Sequence, residues 1–166
     1  ARTTGGDEVW RHDPYEFRQV IRAEGLANQK GPNIQAALRR IRSERGRIDL
    51  EWLRDLPVEE AREWLLSFRG VGRKTAAIVL LFSLGMPAFP VDTHIYRVSG
   101  RIGLRPQTLD VDKTHQYLEA AADPADYYAM HLNLIRLGRE VCHARKPACA
   151  RCPLVDICLY PDKNLT

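Results

Sequence analysis

Apolar residues recur at helical spacing along most of this chain. Phe17, Val20 and Ile21 share a face after Asp13-Pro14, which reads as an N-cap followed by proline at the first helical position, and that short helix ends near Gly25. Gly31 and Pro32 punctuate next, and Ile34, Ala37, Leu38 and Ile41 give the spacing of a second helix, which stops near Gly46 and carries Arg39, Arg40 and Arg42 on its other face. Asp49 to Leu53 predicts one helical turn, and Pro57 with Glu59 and Glu60 opens a helix that turns Ala61, Trp64 and Leu65 inward. Gly70 and Gly72 break the pattern before helix resumes from Arg73 to about Leu84. Gly85, Pro87 and Pro90 make a loop, and Asp92 caps a helix with Ile95, Val98 and Ile102 inside. Two further helices run from about Asp110 to Ala121 and from Asp123-Pro124 to about Arg139, the second with Met130, Leu134 and Leu137 in register. No segment alternates as a strand does, so the expected fold class is all-α with short linkers.

This pattern divides into an N-terminal arm or loop over 1–12, a helical domain over 13–105, and a second domain over 106–166 built of helices and a cysteine-rich tail. A chain of 166 residues, 45% hydrophobic and 28% charged, can bury a substantial core as an ordinary globular protein. Its net charge of +4 and pI near 9.0 suit nucleic acid but are shared by many unrelated proteins. The longest apolar run, Ala76 to Phe82, is too short to span a bilayer, and the opening stretch has no secretory apolar region. The expectation is a monomeric cytoplasmic protein, nucleoid-associated, with no membrane partner. A first residue other than methionine, and no periodic first element, suggest further sequence upstream.

All four cysteines, Cys142, Cys149, Cys152 and Cys158, fall in CHARKPACARCPLVDIC with the order Cys-x6-Cys-x2-Cys-x5-Cys. Disulfides account poorly for them, because nothing else in the chain suggests an oxidising compartment. Four thiolates in a short irregular segment can converge on one metal centre, and both structural zinc and a cubane iron–sulfur cluster accept four sulfurs. A catalytic metal is disfavoured, since four cysteines close the coordination sphere. Arg145 and Lys146 sit in the loop between the first two cysteines, where they could meet phosphate or simply be solvated.

Gly70-Val71-Gly72 links two helices, and such a turn can leave backbone N–H groups facing a phosphate, although a plain αα-hairpin would look the same. Lys74 lies in the first turn of the following helix; as a neutral amine it could form an imine, while an exposed helical lysine is common. Asp92 reads first as an N-cap, and its carboxylate could also stabilise positive charge developing on a substrate. His94 and His131 could act chemically, but histidines at such positions more often pack a core or pair helices.

Together these residues resemble the endonuclease III branch of the helix-hairpin-helix DNA glycosylases. The likeness rests on Gly-Val-Gly-Arg-Lys-Thr-Ala at 70–76, Val-Asp-Thr-His at 91–94 and the cysteine spacing at 142–158; Gly-Leu-Ala-Asn-Gln-Lys at 25–30 and Gly138-Arg139 also fit. It covers about residues 14–160, and three separated motifs in order are far more specific than the hairpin alone. The resemblance implies an all-helical fold of two domains flanking a cleft, in which damaged duplex DNA is bent and one nucleotide flipped out. It implies Lys74 as the nucleophile at C1′, Asp92 as the carboxylate supporting base departure, and β-elimination through a Schiff base on oxidised pyrimidines and abasic sites. It further implies a [4Fe-4S] cluster on Cys142, Cys149, Cys152 and Cys158, backbone contacts from Arg69, Gly70, Gly72, Arg73, Arg145 and Lys146, and a monovalent cation near the hairpin. Leu26 would be the wedge that opens the stack.

The chain departs from the family pattern in places. Phe68-Arg69-Gly70 stands where Leu-Pro-Gly is usual, and the segment from Gly46 to Ser67 is longer than in the best-known members. The first helices of the family's cleft, including one that contributes a glutamine, have no counterpart here. Rival readings are a monofunctional mismatch- or adenine-directed glycosylase, a non-catalytic DNA-binding protein that keeps hairpin and cluster, and a metal-stabilised helical domain with no DNA role.

Overall fold

The computed structural model describes residues 27–165, so the expected arm over 1–12, the helix over 14–25 and Leu26 lie outside the described residues. Within that range every regular element is helical, as the periodicity predicts. The described residues form two compact units, one ending at Gly72 and the other beginning at Arg73.

In the first unit, helix α1 spans Ala27–Arg45, a 3-10 turn covers Glu51–Asp55, and α2 spans Val58–Leu66. Gly31 and Pro32 do not punctuate the chain as expected; α1 starts before them and runs through both. A proline this near a helix start removes one bond of an early turn, and the long remainder carries the element. The buried face is also rotated from the expected one, because Gln35 is buried at 1% exposure while Ile34 stands 39% exposed. Ile41, Leu53, Ala61, Leu65 and Phe68 are buried. Trp52 meets Trp64 edge to face at 5.0 Å, and Trp64 meets Phe68 at 4.6 Å. The guanidinium of Arg45 lies 3.3 Å from the Trp52 ring centre and that of Arg40 lies 4.3 Å from Phe68, so arginines of α1 cover aromatic surface.

In the second unit α3 spans Arg73–Ile78 and widens into a π-helical turn over Val79–Ser83, where a continuous α-helix to Leu84 was expected. Leu84 N–H reaches back five residues to Val79 O at 3.1 Å. The run from Ile78 to Phe82 is apolar at every position, so no polar face pins its register, and such turns recur at functional sites. Helix α4, Thr93–Arg101, begins at the expected cap, Asp92, which accepts from Ile95 N–H, and α5, Val111–Ala121, begins near the expected position with Asp110 as its cap, accepting from Lys113 N–H, each at 2.7 Å. Each such cap is worth about 1 kcal/mol. Asp123 and Pro124 form a 3-10 turn over Pro124–Asp126, and α6 follows as Tyr127–Glu140.

Phe89, Val91, Ile95, Val98, Leu118, Tyr127 and Leu134 form the core of this unit. Helix α4 packs on α6 at Gly138, where a Cβ would stand 2.8 Å from the Cβ of His94. His131, on the inner face of α6, is 4% exposed, and its Nδ1 donates to Pro90 O at 3.0 Å. Burial above all, with the charge of Lys74 acting the same way, holds its imidazole below the ordinary 6.5 despite the Pro90 carbonyl and Asp92.

Two outcomes follow from this core. Leu118→Ala is expected to cost about 2–5 kcal/mol in urea unfolding, because Leu118 is fully buried. Stability should also fall as pH drops below the ordinary 6.5 toward the lower folded-state value of His131, since the unfolded chain takes up that proton first. Urea midpoints at a series of pH values check this, and His131→Asn should flatten the part of the slope due to this group.

Candidate active site and cysteine loop

Lys74 is the second residue of α3 and is exposed; Asp92 is the N-cap of α4. The fold of the second unit brings them together on one open cleft of about 540 Å³, whose walls include Thr93, His94, Tyr96 and Arg139. Asp92 Oδ1 is occupied by the Ile95 N–H, so the cap fixes the carboxylate and leaves its other oxygen to act on whatever enters. Lys74 and Arg139 make the cleft cationic apart from Asp92, a field that favours an anionic ligand. Arg73 is loosely paired with Asp112 at 3.8 Å, the first half-buried and the second exposed, a contact worth little.

Gly70 has φ of 85°, a backbone state that glycine adopts without strain, and a Cβ there would meet the Asn33 side chain at 2.8 Å. Val71 N–H donates to Phe68 O at 3.1 Å, closing the turn, while Arg69 and Gly72 are exposed and nothing lies within 4 Å of a Cβ built on Gly72. Arg145 and Lys146 are exposed at the tip of the cysteine loop, with Lys146 at φ 47°. They are not among the residues lining the cleft. His94 does line it, and its Nδ1 accepts from Arg97 Nη2 at 3.1 Å; His131 is a core histidine.

Two arginines that the sequence reading did not single out organise the rest. Arg97 of α4 donates to Gly138 O at 2.9 Å and to Cys142 O at 3.0 Å, so one guanidinium joins α4 to the end of α6 and to the first cysteine. One turn on, Arg101 donates to His143 O at 2.7 Å, to Ala144 O at 3.0 Å and to Cys142 Sγ at 3.5 Å. Its guanidinium stacks 4.3 Å from the Tyr160 ring centre. Burial works against its charge, but Cys142 and Tyr160 outweigh that and hold its pKa above the ordinary value. The available signal was the i, i+4 pairing of two arginines on the helix that Asp92 caps.

All four cysteines line one apolar pocket with Arg101, Ile102 and Leu137. Cys158 Sγ donates to Arg101 O at 3.5 Å. Among the described residues no three His, Cys, Asp or Glu side chains are gathered tightly enough for one ion, so the sulfurs share a wall without closing on a point. Four thiols on an apolar wall, with a guanidinium beside one of them, fit an iron–sulfur cluster as donors.

Comparison with known proteins agrees. The family described as the iron-sulfur binding domain of endonuclease III matches residues 142–158. The chain is 34% identical over 165 residues to the DNA glycosylase/AP lyase ROS1 of Arabidopsis thaliana, covering 89% of this chain but 12% of that protein, so it spans a small part of that relative's length. It is 31% identical over 159 residues to endonuclease III of Sulfolobus acidocaldarius, covering 96% of this chain and 69% of that one. The fold matches a trapped endonuclease III–DNA covalent intermediate with a TM-score of 0.77 and 31% identity, over 92% of this chain and 68% of that one. On these likenesses the chain belongs to the endonuclease III family of helix-hairpin-helix DNA glycosylases.

Proposed function

We propose that this protein removes a damaged base from duplex DNA and then opens the strand at the resulting abasic site. The observation that carries the reading is the convergence of Lys74 and Asp92 on one open cationic cleft. Its relatives include a named glycosylase/AP lyase and a covalently trapped complex with DNA, which support the same chemistry.

In this reading Lys74, as the free amine, attacks C1′ of a nucleotide turned into the cleft, and the base leaves with the electron pair of the glycosidic bond. Asp92 stabilises the positive charge that builds on the sugar while the bond breaks. Loss of a proton from the Lys74 nitrogen and opening of the sugar ring give the imine. Removal of a C2′ proton then expels the 3′ phosphate, breaking the C3′–O bond. Oxidised or ring-saturated pyrimidines are the proposed substrates.

Phosphate contacts are assigned to the hairpin backbone at Gly70 and Gly72 with Arg69 and Arg73, and to Arg145 and Lys146 at the tip of the cysteine loop. A monovalent cation at the hairpin and a wedge at Leu26 complete the proposal. Cys142, Cys149, Cys152 and Cys158 would hold a [4Fe-4S] cluster, whose contribution there is a four-armed crosslink that fixes the loop carrying Arg145 and Lys146.

Borohydride added to a mixture of protein and duplex carrying an abasic site should trap a covalent adduct. Lys74→Ala should abolish it, and Asp92→Asn should slow strand opening roughly 100-fold or more. Wild-type protein giving neither adduct nor nicking would sink the lyase reading; base release without strand opening would point instead to a monofunctional glycosylase. Duplex affinity should fall steeply as salt rises. The loaded protein should be brown with visible absorption, which colourless zinc(II) would not give, and Cys152→Ser should remove the colour.

A further inference from the structure

The loop before Asp92 is held by its backbone at consecutive residues. Phe89 N–H donates to Glu119 Oε1 at 2.8 Å, and Phe89 O accepts from His115 Nδ1 at 2.9 Å. The very next carbonyl, that of Pro90, accepts from His131 Nδ1 at 3.0 Å. Glu119 and His115 lie one turn apart on α5, whereas His131 comes from α6. The histidines are 2% and 4% exposed, so these bonds form where water does not compete for either partner.

A carbonyl oxygen only accepts, so each Nδ1 carries a hydrogen and donates it. The Phe82 and Phe89 rings meet His131 at 5.2 and 6.2 Å between centres, both near edge-on, which sets its ring plane. One bonded carbonyl would leave the chain free to pivot about it. Two successive carbonyls, held from different helices, fix the Phe89–Pro90 and Pro90–Val91 peptide planes just ahead of Asp92. Beyond them Asp92 is itself tied to Ile95 N–H.

We propose that His115 and His131 are positioning residues for Asp92. By gripping the Phe89 and Pro90 carbonyls they set where the carboxylate enters the cleft, and they act on the reaction through Asp92 without touching substrate. This rests on the glycosylase/lyase reading above. It also singles out a replacement: asparagine can place an N–H near the Nδ1 position, whereas glutamine carries its N–H farther out and leucine has none.

The test compares full-length wild type with His131→Leu and His131→Asn by three measurements. These are single-turnover strand opening on an abasic-site duplex, affinity for that duplex, and amide hydrogen exchange over residues 86–95. His131→Leu should slow strand opening on the order of 10- to 100-fold, leave duplex affinity unchanged and speed exchange at 91–95. His131→Asn should recover most of both the rate and the protection. Should the leucine variant not fold, His131→Gln replaces it.

An asparagine variant no better than leucine or glutamine would overturn the proposal, as would altered exchange with an unaltered rate. A wild type inert on the duplex would remove the lyase reading, and exchange at 91–95 would then decide the clamp by itself.

Discussion

The second unit depends on how closely α4 can approach α6. Gly138 permits that approach, since any side chain there would run into His94. Once the helices are in contact, Arg97 reaches from α4 to the Gly138 and Cys142 carbonyls, and Arg101 reaches the loop beyond. The Asp92 cap and the first cysteine therefore sit at opposite ends of a single short lever, α4. A wider helix–helix spacing would disturb the cleft and the cysteine pocket together. This is close packing at work: displacement is passed on because there is little empty volume to absorb it.

What could be read from the sequence is mostly what local chemistry decides. Asp92 caps its helix because the cap bond spans only three residues, and the all-helical class follows from apolar period. The inward face of α1 was misjudged because periodicity assumes apolar residues point inward, whereas packing buried Gln35 and left Ile34 outside. The π-turn was hidden by a run apolar at every position, which carries no phase to read.

At the site, Lys74 and Asp92 could be paired only through the family's motifs; the seventeen intervening positions give no hint of convergence. Arg97 and Arg101 look like solvent-facing charge in sequence and turn out to be spent on backbone carbonyls. His115 drew no notice, because a histidine that donates to a distant carbonyl is recognisable only when the carbonyl's location is known. In each case the missing information was long-range and backbone-directed, the kind least visible in side-chain pattern.

The stacking of Arg40 and Arg45 on Phe68 and Trp52 alters how the chain's basicity should be counted. A guanidinium laid over an aromatic face keeps its charge but gives up orientational freedom, so it contributes to the far field without being able to swing toward a passing phosphate. Formal net charge therefore overstates the number of mobile cations this protein can offer a polyanion. Replacing either arginine with lysine would keep the arithmetic and lose the planar fit to the ring, turning a fixed surface element into a tethered counterion.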